Sequence, residues 1–125
     1  MANLNLTCTT TASGLTSDVI SSTVLKTRTV TEGGITRMTI SEVVGGTPHV
    51  VAAAADYSEG SIVYLKNASS SAINLYVKTE AGANAIYQLY LTPGDFACFP
   101  WSAAVNIICY RDGGSNGLLE YGIFE

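Results

Sequence analysis

Apolar residues recur at every second position along most of this sequence. In residues 73–78, Ile73, Leu75 and Val77 fall on one side of an extended chain, and the residues between them fall on the other. Side chains alternate in this way along a β-strand, whereas the period of 3.6 residues that a helix needs is nearly missing from the sequence. The chain is therefore predicted to form β-sheets, with one face of each strand in a core and the other facing solvent or a partner.

Seven further segments carry the same alternation, at residues 3–8, 36–41, 61–67, 86–91, 96–100, 105–110 and 118–124. Residues that favour turns separate the later strands, and we predict hairpin turns at 67–71, 81–84, 93–95 and 112–117. The run 49–55 is predicted as a strand leading into a loop, because its β-branched start disfavours a helix. Short strands at regular spacing predict an all-β antiparallel sandwich of jelly-roll type, with about eight to ten strands.

The length of 125 residues suits a single sandwich domain spanning 1–125. The N-terminal part differs in character, since residues 1–50 hold 12 of the 14 threonines. Between Val19 and Thr31 the apolar residues fall on both sides of an extended chain, so no single buried face is specified. Residues 1–35 are accordingly interpreted either as a strand that changes sheets or as an extended arm or edge strand that adds to a neighbouring subunit.

The composition favours a protein with partners. Hydrophobic residues make up 47% of the chain and charged residues only 13%, which is little charge for a free monomer. This predicts a homo-oligomer, either a dimer or a trimer. A net charge of −4 disfavours direct nucleic-acid binding, which draws on Lys and Arg. The sequence has neither a signal peptide nor an apolar run long enough for a membrane, so we expect no membrane partner.

No combination of residues predicts catalysis, a metal or another cofactor. His49 is the only histidine, so a histidine-rich metal site of the kind found in some jelly rolls cannot be built. Two carboxylate pairs were considered for glycoside hydrolysis, Asp56 with Glu59 and Asp95 with Asp112. All four lie in predicted turns, where such residues are common for local structural reasons.

The three cysteines, Cys8, Cys98 and Cys109, lack the spacing of metal ligands. They are predicted to be reduced core residues, because a buried thiol packs as a small hydrophobe. The alternative is a disulfide between Cys98 and Cys109, with the segments 96–100 and 105–110 paired as a hairpin around residues 103–104.

The stretch LTPGDFACFPW, residues 91–101, combines a turn with an aromatic strand. Pro93 and Gly94 fit the two central positions of a type II turn. In the strand that follows, both alternating sets of side chains are apolar, so we expect cover on both faces. This predicts an interaction surface, with ordinary packing within the domain as the alternative. The residues predicted to form the surface are Tyr64, Tyr76, Tyr90, Phe99 and Trp101.

Several motifs of the C-terminal half carry a family resemblance: SIVYLKNASSSAINLYVKT, LTPGDFACFPW and the closing LLEYGIFE. They resemble small β-sandwich structural proteins of tailed bacteriophage virions, and the Thr-rich opening ANLNLTCTTTASGLTSD is similar in style. The resemblance implies a capsid decoration, or cement, protein that is made in the host cytoplasm and lies on the capsid surface. Its implied partner is the phage major capsid protein, and the family has no catalytic residues to carry over.

Three other functions compete with this interpretation. The same motifs are compatible with another virion component, such as a tail or fibre-attachment protein. A carbohydrate-binding module would use Trp101 and the tyrosines as platforms on which sugars stack. A small hydrolase is the least favoured, since no catalytic constellation is visible.

Overall fold

The computed structural model describes residues 1–12, 20–70, 72–79 and 88–125. These residues form ten strands and one short 3₁₀ turn, Ala54–Asp56. The strands are β1 (Ala2–Ala12), β2 (Ile20–Val30), β3 (Gly33–Ile40), β4 (His49–Ala52), β5 (Ser61–Asn67), β6 (Leu75–Lys78), β7 (Leu89–Leu91), β8 (Phe96–Trp101), β9 (Ile107–Arg111) and β10 (Gly117–Phe124). None of the described helical segments is long and apolar enough to cross a membrane.

The chain divides into two compact units, Met1–Glu32 and Gly33–Glu125. The first unit is a ribbon in which β1 and β2 pair antiparallel over their whole length, from Ala2 opposite Val30 to Ala12 opposite Ile20. Its Thr and Val content favours extended backbone. Val19, the first of the apolar residues that fall on both sides of the extended chain in this segment, lies outside the described residues.

The second unit is a sandwich of two four-stranded antiparallel sheets, in the orders β3-β10-β5-β8 and β4-β9-β6-β7. Consecutive strands alternate between the two sheets, and β6 with β7 is the one consecutive pair that shares a sheet. This strand order is that of a jelly roll, with two interlocked Greek keys. The prediction of an all-β jelly-roll sandwich is confirmed.

The core lies between the two sheets and consists of alternate residues from each. Val63, Leu65 and Leu119 come from one sheet, and Leu75, Val77 and Ile107 come from the other; all are almost fully buried. Burying each such side chain contributes about 1.5–3 kcal/mol. The alternation seen in the sequence is therefore the origin of the core.

Most of the predicted hairpins are wrong, although the turns themselves are present. The segments 67–71, 93–95 and 112–117 each join strands of different sheets, because a jelly roll connects its strands across the core. The turn at 93–95 has the predicted type II character, since Asp95 N donates to Thr92 O at 2.9 Å and Gly94 has φ of 93°. The fourth predicted turn, at 81–84, lies outside the described residues.

The alternative of a disulfide between Cys98 and Cys109, across a hairpin, is contradicted by the strand order. Strands β8 and β9 belong to different sheets, so Cys98 lies opposite Tyr64 and Cys109 lies opposite Val77. All three cysteines are free. Cys109 is the only one in the core, and Cys8 and Cys98 are exposed, which corrects the expectation that all three are core residues.

Candidate functional site

The outer side of the β3-β10-β5-β8 sheet, the side that faces away from the core, carries a group of exposed apolar side chains next to a row of charged ones. Ile35 is 60% exposed and Phe96 is 67% exposed. The register places Ile35 beside Gly122, then Tyr64, then Cys98, in one row across all four strands. We call the apolar part of this surface the outer apolar face, and it consists of Ile35, Tyr64, Phe96, Cys98 and Pro100. Lys66 lies opposite Phe96 on the same side of the sheet.

The ring of Phe124 packs closely against two glycines of this sheet. A Cβ atom built on Gly122 would lie 3.0 Å from the ring of Phe124, and one built on Gly33 would lie 2.5 Å from it. The ring of Phe124 therefore rests directly on the backbone of these two glycines, where a larger residue would push it away.

An ion pair forms a fixed polar border to the outer apolar face. Arg37 Nε donates to Glu120 Oε2 at 2.9 Å, and the Tyr64 hydroxyl donates to Glu120 Oε1 at 3.1 Å. These two hydrogen bonds hold the pKa of Glu120 below its usual value, and the bond from Arg37 has the larger effect. Burial raises the pKa of Tyr64, and the hydrogen bond to Glu120 adds to this effect. At neutral pH the polar border therefore contains the ionised carboxylate of Glu120, which already accepts hydrogen bonds from Arg37 and Tyr64.

The five residues predicted as an interface do not form one surface. Tyr64 lies on the outer apolar face, whereas Tyr76 and Tyr90 pair on the outer side of the other sheet. Their ring centroids are 5.0 Å apart, and Tyr90 is 53% exposed. Phe99 is partly buried against the core, and Trp101 belongs to the core. The expectation of a single aromatic patch is corrected, because these tyrosines lie on sheets that face in opposite directions.

Trp101 packs inside the sandwich, where it is 4% exposed. Its ring centroid lies 5.7 Å from that of Tyr57 at an interplanar angle of 57°, which is a favourable tilted arrangement for two aromatic rings. The indole Nε1 is buried without a hydrogen-bond partner among the described residues. Trp101 therefore offers no platform on which a sugar can stack.

Tyr64 apart, the side chains that make the outer apolar face were not predicted as site residues. Phe96, Cys98 and Pro100 share one side of β8, opposite to Trp101, and the sequence argument expected that side to be covered. Within the chain all three are exposed. The signal was present in the sequence: once the only Trp is assigned to the core, strand alternation places these three residues outside.

Asp95 and Asp112, two of the carboxylates considered for catalysis, accept structural hydrogen bonds: Asp95 within its own turn, and Asp112 from Asn74 in the segment before β6. Asp95 Oδ2 accepts from the backbone N and the hydroxyl of Thr92 at 2.9 and 2.7 Å, which lowers its pKa. Asp112 accepts from Asn74 through two bonds of 2.8 Å, and these likewise lower its pKa. The carboxyl groups of Asp95 and Asp112 are therefore ionised at neutral pH and act as hydrogen-bond acceptors.

His49 makes a local contact with a carboxylate. Its Nδ1 lies 3.0 Å from Glu42 Oε2. Burial acts to raise the pKa of Glu42, but hydrogen bonds from the backbone, Ser41 and His49 outweigh it and lower the pKa overall. Among the described residues, no group of three or more His, Cys, Asp or Glu side chains is placed to hold a metal ion.

A cavity of about 230 Å³ lies where the edges of the two sheets meet, and its described lining is mainly apolar. Val77 and Leu89 line it from one sheet and Phe99 from the other. Lys78, Thr79 and Gln88 complete the described lining, which holds no carboxylate or histidine for acid–base chemistry.

Comparisons with known proteins found no match from which the function of the candidate surface could be inferred. No protein-family model matches the chain, and no curated protein matches it.

Proposed function

We propose that this chain is a non-enzymatic capsid decoration protein of a tailed bacteriophage, which binds the assembled shell and stabilises contacts between capsomers. Its partner is the major capsid protein, and its location is the capsid surface. The observation that supports this proposal is the outer apolar face. The motif LTPGDFACFPW, which carries the family resemblance, builds the strand that contributes Phe96, Cys98 and Pro100 to this face.

The physical form of the face suits a protein interface. Contiguous exposed apolar surface is uncommon on a soluble monomer and typically marks a site of interaction. An exposed aromatic side chain such as Phe96 is a typical anchor, and the bordering Arg37–Glu120 pair is a typical polar rim. The jelly roll is also a frequent fold of capsid proteins, although this support is by analogy of fold alone.

Replacing Phe96 by Asp is expected to weaken binding to the shell at least tenfold. The aromatic anchor is lost, and a carboxylate would be buried against an apolar surface, a combined cost above about 1.4 kcal/mol. Because Phe96 is 67% exposed, the fold itself should be little affected. The measurement is co-sedimentation of the purified protein with shells assembled from the major capsid protein of the same genome.

Tyr90→Asp is the matched control, because Tyr90 is a similarly exposed aromatic residue on the outer side of the other sheet. It should bind shells as the unmodified protein does. The proposal fails if the unmodified protein does not pellet with shells, or if both variants lose binding equally.

A further inference from the structure

Each strand of the β1–β2 ribbon is paired along one edge only, because the described sheet of this unit consists of these two strands. In an antiparallel pair, alternate residues direct their backbone N–H and C=O groups at the partner strand, and the residues between them direct theirs outward. About half of the backbone groups of β1 therefore point away from β2. Such a row of groups is what a further strand pairs with.

The outer edge of β1 is open to solvent. Between Ala2 and Thr11 only Leu4 and Leu6 are half-buried, and the other residues are exposed. Among the described residues, no backbone hydrogen bond joins β1 to a segment other than β2. The backbone groups along this edge are therefore available to a partner.

The other sheet edges formed by the described strands each carry a feature that hinders pairing with a second chain. Charged residues, proline, bulges and short length all have this effect. β8 contains Pro100, and β3 contains Arg37. β4 has four residues and an irregular register, and β7 has three residues. β2, the second edge of the ribbon, contains Lys26 and Arg28.

β1 has none of these features. Its sequence, ANLNLTCTTTA, contains no charged residue, no proline and no glycine, and its 11 residues pair with β2 without a bulge. Its length is about twice that of a typical strand. Four of its residues are threonine, which favours extended backbone. A long, exposed and uncharged edge of this kind is a template for the addition of a strand.

We propose that β1 pairs antiparallel with β1 of a second copy of this chain, about a twofold axis at Thr7. The two ribbons then form one four-stranded sheet, with a β2 strand at each edge. A second copy suits this edge because strands without charged residues bring no like charges together. The contact uses the same surface of both subunits, so it closes on itself and assembly stops at the dimer.

The position of the axis follows from the length of the strand. Thr7 is the central residue of Ala2–Ala12, so an axis there pairs all 11 residues and forms about ten backbone hydrogen bonds. Asn5 then lies opposite Thr9 of the partner subunit. The ribbon itself contains a pair of this type, in which Thr27 Oγ1 donates to Asn5 Oδ1 at 2.9 Å.

Thr7 and Leu25 provide a matched pair of variants, because they lie opposite each other in the ribbon, at the centres of β1 and β2. Sedimentation velocity at micromolar concentration, without shells, should show a dimer of the unmodified chain. Thr7→Asp places two carboxylates directly opposite each other at the axis, so it should lower the association constant at least tenfold and yield the 13.1 kDa monomer. Leu25→Asp puts the same charge at the other edge of the ribbon and should leave the dimer intact.

An introduced cysteine tests the register directly. With Cys8 and Cys98 replaced by serine, Thr7→Cys brings two thiols together across the axis. Opposite residues of an antiparallel pair have Cα atoms about 4.5–5.5 Å apart, which suits a disulfide. Diamide should therefore take up the two thiol hydrogens and link the chains through a disulfide. Leu25→Cys in the same background should stay unlinked, because the two β2 strands lie at opposite edges of the sheet.

A monomeric unmodified chain overturns the inference. A dimer that Thr7→Asp weakens no more than Leu25→Asp overturns it as well, and so does a dimer in which Thr7→Cys is not linked. Fluorescence of Trp101, the only Trp of the chain, verifies that the jelly-roll core of each variant is folded. If Thr7→Asp fails this check, the two cysteine variants decide the question.

The inference does not depend on the proposed function. A monomer that pellets with shells would leave the decoration role standing, and a dimer that ignores shells would remove only that role.

Discussion

Replacing Asn67 by Asp is expected to lower the free energy of unfolding by at least about 3 kcal/mol. The Asn67 side chain is fully buried, and it donates two hydrogen bonds that a carboxylate cannot donate. Asn67 Nδ2 donates to Ile73 O and to Leu91 O, each at 2.8 Å. In the variant a carboxyl oxygen would face these two carbonyl oxygens without water. Either it stays ionised against repulsion, or it takes up a proton.

Asn67 has this importance because it links the two sheets. It ends β5, and its amide binds the carbonyls just before β6 and at the end of β7, which belong to the other sheet. Its backbone also fixes the corner after β7, through Asn67 N to Asp95 O at 2.9 Å and Gly94 N to Asn67 O at 2.8 Å. The corner therefore needs no catalytic explanation, since it carries the chain across the core and is anchored to Asn67.

Urea denaturation followed by Trp101 fluorescence measures this loss. Asn106→Asp is the control, because Asn106 is exposed and its Oδ1 accepts from Ala54 N at 2.8 Å, a role that a carboxylate oxygen retains. A stability of the Asn67 variant that matches that of the Asn106 variant would contradict the account.

Trp101→Ala is expected to cost about 3–5 kcal/mol of stability, the usual range for truncating a large core aromatic residue. The ring is 4% exposed and packs beside Tyr57, so its loss leaves a large cavity between the sheets. Nε1 has no partner among the described residues, which means that the loss comes from packing and not from a hydrogen bond.

Far-UV circular dichroism must follow this variant, since the fluorescent residue is gone. Trp101→Phe keeps an aromatic ring and removes the buried donor, so its loss should be clearly smaller than that of the Ala variant. Unchanged stability of Trp101→Ala would place this residue outside the core.

Sequence alternation was enough to predict the strands. The predicted segment 61–67 coincides with β5, and 118–124 differs from β10 by one residue. These predictions succeeded because each strand places alternate side chains in one core, so the pattern can be recognised from consecutive residues alone. The type II turn at Pro93 and Gly94 was predictable for the same local reason.

Sheet membership was not predictable in this way. The segment 67–71 has the composition of a hairpin turn, yet it joins β5 to a strand of the opposite sheet. Turn residues show where a chain changes direction, but the next pairing partner is decided by contacts between residues distant in sequence. Tyr64 and Tyr76 were therefore assigned to one surface although they face opposite ways.

The cysteines allow the most direct test of the claim that the outer apolar face contacts a shell. Cys98 lies in this face, and the buried Cys109 is an internal control. Burial raises the pKa of Cys109 to about 12, so this thiol should not react in the folded protein. Partial burial raises the pKa of Cys98 as well, but its sulfur stays accessible to a small reagent.

The measurement is the rate of alkylation at each cysteine, determined by peptide mass spectrometry for the free protein and for protein pelleted with shells. We predict that shells slow the reaction of Cys98 at least tenfold, while Cys109 stays unreactive in both samples. An unchanged rate at Cys98 in protein that has pelleted with shells would contradict the account.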